Sequence, residues 1–395
     1  MMERPAKQLT FRGHHESHGV QMDVFSWDLE FVQAPVIARA SGDERAATSF
    51  VRLRHLASGV EGWGEGCVDP YYGEIVESVA AVAPTLLEAA ATATPVFGAK
   101  DHGALSRAAE EGIGRGADLL GSTSRSMDAA LAHNGAAKAA IESAMHDLLS
   151  RAAGVSLTRW FGVTGPQSPT DFTLWIDAPE RMAARAAAIQ AGETSYSALK
   201  LKVGLGGEEE VLRSVRAAYS GPLRLDANCG WTLQRALELL PLMETHGVEL
   251  VEQPFPAGRL DEVSAFAAAT EIPIVADEDC VVFDDIERVA GAYDGVNLKV
   301  VKIGGLGPLL RGLRRAEELG LRRMFGCMTE TRLGTAGCAA ISAATEFADL
   351  DGPIDLLNDP WEGLRLGLDA RWAHAPAATG SGVRLDSEVA ESGRS

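Results

Sequence analysis

The chain has 395 residues, 46% of them hydrophobic and 23% charged, with a net charge of −19. That length exceeds a usual single core and implies two domains, or a barrel with an attachment. The acidic balance argues against a nucleic-acid partner, which calls for a basic surface, and no apolar run approaches the roughly 18–20 residues of a membrane span.

The start, MMERPAKQLTFRGHHESHG, lacks an apolar signal-peptide core, and the five cysteines (67, 229, 280, 327 and 338) form no CxxC pair. A reducing compartment, the cytoplasm, is expected, with neither a disulfide framework nor a structural zinc site. The first 18 residues, with His14, His15 and His18, carry no pattern and read as a disordered tail. β-Structure follows in MDVFSWDLEFV, ATSFVRLRHL and EGWGEG, separated by the polar loop ARASGDERA (38–46). Helices come next over EIVESVAAVAPTLLEAA and NGAAKAAIESAMHDLLSRAAG, the second capped by Asn134 and stopped by Gly154. Strands followed by helices make an α+β unit, assigned to residues 1–128.

From about residue 171 short apolar strands that end in polar residues alternate with amphipathic helices. The strands read as FTLWID, ALKLKV, LRLDAN, VELVEQ, IPIVADED, GVNLKV, RRMFGC and PIDLL (353–357). Eight βα units point to a parallel (β/α) barrel, assigned to residues 129–370, with 371–395 as a tail that returns to the first domain and then loses order. A doubly wound sheet is the rival, but no GxGxxG stands at a strand-to-helix turn, and GLGG (204–207) reads as a turn.

The strand ends carry the chemistry. Lys200 and Lys202 end the second strand, Asp226 the third, Glu252 the fourth, Asp277 the fifth and Lys299 the sixth. Side chains alternate along a strand, so Lys200 and Lys202 share a face. Each group follows the last by roughly one βα unit, which brings all of them to the C-terminal rim, where barrels build active sites. Three converging carboxylates repel unless a cation lies between them, and all-oxygen ligation suits Mg²⁺. Lysines on both sides of such a centre can take a proton from one face of a carbon and return it to the other.

The segments KLK (200–202), LRLDANCGW (223–231), VEQP (251–254), ADED (276–279) and NLKVVKIGG (297–305) resemble the enolase superfamily, in particular its muconate-lactonizing subgroup. The resemblance implies an α/β fold, a modified (β/α)8-type barrel with an N-terminal α+β capping domain. It implies Mg²⁺ held by Asp226, Glu252 and Asp277, acid/base catalysis by Lys202 and Lys299, and charge stabilisation by Lys200, a pattern known for that superfamily. Family likeness puts Lys202 on the side of the L-isomer and gives Lys302, expected on the loop after the sixth strand, no catalytic role.

ADLDGP (348–353), just before the expected eighth strand, resembles the dipeptide epimerases, in which such an Asp-x-Asp binds the free α-ammonium group. Asp349 and Asp351 would do so here, since a cationic amine in a pocket needs a carboxylate partner. By the same likeness Thr173 of FTLWIDAPERMA contacts substrate, Cys327 and Thr329 of GCMTETRLG offer backbone groups, and Glu330 lines the site. LLNDPWEG (356–363) and GWGEG (62–66) also look like family sequence, whereas Trp175 is bulkier than the pattern leads one to expect. The expected activity is Mg²⁺-dependent epimerisation of a dipeptide substrate: 1,1-proton transfer through an enediolate, inverting the α-carbon of the C-terminal residue. N-Acylamino-acid racemisation and o-succinylbenzoate synthesis on the same site are the alternatives, with a non-catalytic binding barrel as a remote one. Loops 38–46 and 69–74, with Arg39, Arg45, Tyr71 and Tyr72, are expected to set side-chain preference, and a homo-oligomer is compatible with the sequence.

Overall fold

A computed structural model describes residues 9–39, 46–375 and 377–392. Four antiparallel strands, β1 (Thr10–Ser17), β2 (Val20–Leu29), β3 (Ala46–His55) and β4 (Glu61–Cys67), form one sheet in sequential order. β1 corrects the expectation of a disordered tail for residues 10–17. It is polar on both faces, so no alternation marks it, and its pairing with β2, plus a bond from His14 Nδ1 to Asp23 Oδ1 (2.8 Å), holds it in place. Residues 1–8 lie outside the described residues.

The long helix Gly135–Ala152 packs across β4. Three alternate residues of that strand, Gly62, Gly64 and Gly66, face it, and a Cβ at any of them would overlap the carbonyl oxygens of Ala144, Ala140 and Ala136 respectively. Glycine is required here for close approach of backbone to backbone. Asn134 stands at the N-cap position, but with φ 58° its side chain turns back to the Ala132 carbonyl and caps nothing. The Glu74 carboxylate takes the Ala136 N–H instead (3.0 Å), a cap supplied from a distant loop. Gly154 ends the helix in the left-handed region, as expected.

The barrel strands are β5 (Phe172–Leu174), β6 (Leu199–Lys202), β7 (Leu223–Asp226), β8 (Val248–Glu252), β9 (Ile274–Ala276), β10 (Gly295–Leu298), β11 (Arg322–Gly326) and β12 (Phe347–Asp349). They pair in parallel and in sequence order, and a Thr170–Ala348 bridge joins the two ends. The eighth strand is therefore not PIDLL. Gly352–Asp355 forms a 3-10 turn, and Asp349 ends β12 rather than preceding a strand. Pro353, lacking an N–H, suits the turn better than an interior strand. Beyond the barrel, short ladders pair Leu364–Leu366 with Trp372–His374 and Trp361–Glu362 with Arg384–Leu385. The chain then returns to the helix Gly135–Ala152, where Ser381 N bonds Asp147 Oδ1 and Arg151 Nη2 bonds the Val383 carbonyl. Among the described residues no helix is long and apolar enough to cross a membrane.

Glu65 of β4 ties this sheet to the barrel. It is buried and accepts from Thr48 Oγ1 (2.9 Å), Thr331 Oγ1 (2.6 Å), Thr331 N (3.1 Å) and Gly334 N (2.9 Å). Burial pushes its carboxyl from 4.5 up to about 7 despite those donors. The folded state thus holds a proton that the unfolded chain releases near pH 4.5. Its stabilising effect is complete below that pH and is lost as pH rises through 7, on the order of 3 kcal/mol in all. Urea unfolding between pH 5 and 8 is expected to show falling stability. Glu65→Gln, which turns an amide N–H₂ toward the same donors, should cost about 1–3 kcal/mol at low pH and flatten that dependence.

Candidate active site

Strand register assembles the site. Lys202 lies opposite Asp226, and Asp226 opposite Glu252, across three neighbouring parallel strands. Asp277 is the first residue after β9 and Lys299 the first after β10. β6 and β10 are four strands apart in the eight-stranded ring, so Lys202 and Lys299 approach from opposite walls. Oxygens of Asp226, Glu252 and Asp277 all lie within 4.8 Å of one another. All six of these chain positions, Lys200 included, are buried.

Lys200 Nζ reaches Asp226 Oδ2 (3.1 Å), Glu252 Oε2 (2.8 Å) and Asp349 Oδ2 (2.6 Å). Lys202 Nζ lies 2.6 Å from Asp226 Oδ2, and Lys299 Nζ 2.9 Å from Asp277 Oδ2. Burial works against the Lys200 and Lys299 charges, but the surrounding carboxylates outweigh it and raise both ammonium groups above their ordinary range. The crowding shows on the acids as well. Burial and the neighbouring Asp226 push Glu252 up to about 7, whereas the lysines hold Asp277 well below the usual carboxylate range against its burial. A cluster of three carboxylates and no softer donor fits a hard divalent ion, which would take over the compensation the lysines now supply.

A cavity of about 220 Å³ opens above this centre, with Lys202, Lys299, Asp349, Asp351, Thr173, Cys327 and Thr329 in its lining. Asp351 Oδ2 accepts from Thr173 N (2.5 Å), and Cys327 Sγ lies 3.9 Å from Asp351 Oδ1. Burial and Asp349 push Asp351 up to about 7. Glu330 departs from expectation: it lies buried beside Glu65, takes the Met328 N–H (3.2 Å), and is absent from the cavity lining. Trp175 lines the cavity, its ring 5.8 Å from Lys202 Nζ, so its bulk is felt inside the pocket. Arg39 is not free to meet an acidic ligand: Glu278 (2.9 Å) and Asp69 (3.2 Å) bind it, and it stacks on Tyr71. Arg45 lies outside the described residues.

Three residues near the carboxylates escape sequence reasoning. Asn228 donates its N–H to Asp226 Oδ1 (3.0 Å), and Asn297 Nδ2 donates to Glu252 Oε1 (2.7 Å). Lys302, expected on a loop, sits in the short helix Val300–Ile303 with Nζ on Asp277 Oδ1 and on the Asp277 carbonyl (2.6 Å). Its spacing from Lys299, one helical turn, was the available signal.

The chain matches two family models, "Mandelate racemase / muconate lactonizing enzyme, N-terminal domain" over residues 24–162 and "Enolase C-terminal domain-like" over residues 181–389. It is 29% identical to the L-Ala-D/L-Glu epimerase of Bacteroides thetaiotaomicron over 359 residues, 89% of this chain and 86% of that protein. Its fold is similar to that of the Enterococcus faecalis V583 dipeptide epimerase, solved with Mg and L-Leu-L-Tyr (27% identity, TM-score 0.78, 95% of this chain and 99% of that one). It is likewise similar to that of the Cytophaga hutchinsonii dipeptide epimerase, solved with Mg and D-Ala-L-Val (26% identity, TM-score 0.79, 96% and 97%). An N-terminal sheet over an eight-stranded parallel barrel and both family matches give one answer: the chain belongs to the enolase-like mandelate racemase / muconate lactonizing enzyme family.

Proposed function

We propose that the protein is a Mg²⁺-dependent dipeptide epimerase that inverts the α-carbon of the C-terminal residue. The observation that carries this reading is the pair of buried lysines, Lys202 and Lys299, on opposite walls of a three-carboxylate cluster. Asp226, Glu252 and Asp277 would hold the ion. When bound, it would supply positive charge where the substrate carboxylate becomes more negative, and it would loosen the grip of the acids on the lysines. One lysine takes the α-proton and the other returns a proton from the opposite face. Lys200, held by three carboxylates, keeps a fixed positive charge beside the developing negative one. Asp349 and Asp351 receive the free α-ammonium group, which fixes which end of the dipeptide enters first.

The similarity to dipeptide epimerases supports the substrate class, and the carboxylates at Asp349 and Asp351 favour it over N-acylated substrates, which have no ammonium group. Five free cysteines suit the cytoplasm as the working compartment.

A library of dipeptides incubated with Mg²⁺ in D₂O tests the reading. Epimerised members gain one deuteron at the C-terminal α-carbon; a library without any such gain would sink it. Removal of divalent ions with EDTA is expected to lower turnover about 10³-fold, and added Mg²⁺ to restore it. Full activity after exhaustive chelation would exclude a role for the ion.

A further inference from the structure

Each of the three carboxylates divides its two oxygens between an inner and an outer set of partners. The inner oxygens, Asp226 Oδ2, Glu252 Oε2 and Asp277 Oδ2, face the ammonium groups of Lys200, Lys202 and Lys299. The outer oxygens each have a separate donor: the Asn228 amide on Asp226 Oδ1 (3.0 Å), Asn297 Nδ2 on Glu252 Oε1 (2.7 Å), and Lys302 Nζ on Asp277 Oδ1. None of these donors belongs to the lysine set that would transfer protons. Lys302 and Asn297 are buried, and Lys302 Nζ also donates to the Asn297 backbone carbonyl (3.2 Å). Asn297 is wedged against Gly326, where a Cβ would collide with its side-chain amide. Three acceptors on Lys302 Nζ and the close wall at Gly326 thus hold both side chains on the oxygens they donate to.

We propose that Asn297 and Lys302, with the Asn228 amide, are positioning residues that allow each carboxylate to offer one oxygen, and only one, to a divalent ion. The inference rests on the reading that Asp226, Glu252 and Asp277 hold such an ion. Its consequence is selectivity. A small ion that demands near-octahedral geometry is served by three single oxygens, with places left for substrate and water. Ca²⁺ prefers more oxygens and takes carboxylates by both at once. Blocking the outer oxygens denies Ca²⁺ that option, and holding each carboxylate in place keeps the single inner oxygens aimed where Mg²⁺ needs them.

The test is binding by the full chain in the absence of substrate, read as displacement of Mn²⁺ (by its electron paramagnetic resonance signal) with Mg²⁺ and with Ca²⁺. The wild type should bind Mn²⁺ and prefer Mg²⁺ to Ca²⁺. Lys302→Met and Asn297→Leu, each close in volume to the native residue, should weaken Mg²⁺ binding about 10- to 100-fold. Each should weaken Ca²⁺ binding less, so that the Mg²⁺ to Ca²⁺ preference narrows about 10-fold or more. A merely structural role would move both affinities together. Unchanged preference in a folded variant overturns the inference, as does a wild type that binds Mn²⁺ yet does not discriminate Mg²⁺ from Ca²⁺. If one variant fails to fold, the other and the wild-type preference decide. A wild type that binds no Mn²⁺ at all overturns the metal reading itself, a separate failure.

Discussion

Lys299→Ala is expected to lose epimerisation in both directions by about 10²- to 10⁴-fold, yet still to exchange the α-proton of the L,L-dipeptide with solvent deuterium. Epimerisation needs a base on each face of the carbon, whereas exchange needs a base on one face only. Lys202, on β6, remains in place opposite, and family likeness makes it the lysine expected to face the L-isomer. Lys202→Ala should give the mirror result, exchange of the L,D-epimer without inversion. The asymmetry is a stronger test than loss of activity, because a misfolded variant loses both reactions. Folding is expected to survive the change at Lys299, since Asp277 keeps Lys302 as its charged partner. Wild-type epimerisation by both alanine variants would end the two-base mechanism.

The second large effect concerns the amino terminus of the substrate. Acetylating the dipeptide is expected to lower kcat/KM of the wild type by about 10²-fold or more, in keeping with the loss of a charge partner in a buried site. Asp349 is already engaged, its Oδ2 on Lys200 at 2.6 Å. Asp351 has Oδ2 on the Thr173 amide and only a weak thiol contact at Oδ1, and among the described residues no cation pairs with it, whereas Asp349 already has Lys200. Asp351→Asn should therefore weaken turnover of the free dipeptide by a similar factor while leaving the acetylated one unchanged. The discrimination between the two substrates would collapse, which steady-state kinetics on the paired compounds reads directly. A wild type that turns over both equally would point to an N-acylated substrate instead.

The central residues were legible because chemistry and topology coincide in the sequence. Lysines and acids recur at one barrel period, and the period alone brings them to one rim. Where the period was weak, the reading slipped. β12 is three residues long, too short to show alternation, and the apolar letters of PIDLL drew the eighth strand several residues downstream. β1 was missed because Thr10–Ser17 buries little on either face, and its order comes from the partner strand rather than from its own pattern. The helix Gly135–Ala152 was placed well, but its cap was not, since Glu74 lies far away in sequence. Lys302 read as a loop residue for a similar reason: only the seating of a four-residue helix, directly after β10, on the helix Gly135–Ala152 aims it at Asp277. Glu330 lies buried beside Glu65 and outside the cavity lining, a placement that no local pattern signals.

The glycine face of β4 has a bearing on how a substrate gets in and out. Carbonyls of the helix Gly135–Ala152 press directly on Gly62, Gly64 and Gly66, and between them Glu65 points the other way into the Thr331 turn. At β4, sheet, helix and barrel are thereby clamped together, since the three glycines put no side chain of that strand between it and the helix. The segments around Ile37 and around Val68 and Pro70 border the cavity, and a substrate is expected to enter beside them. Substitutions there can retune the doorway while the walls stay where they are.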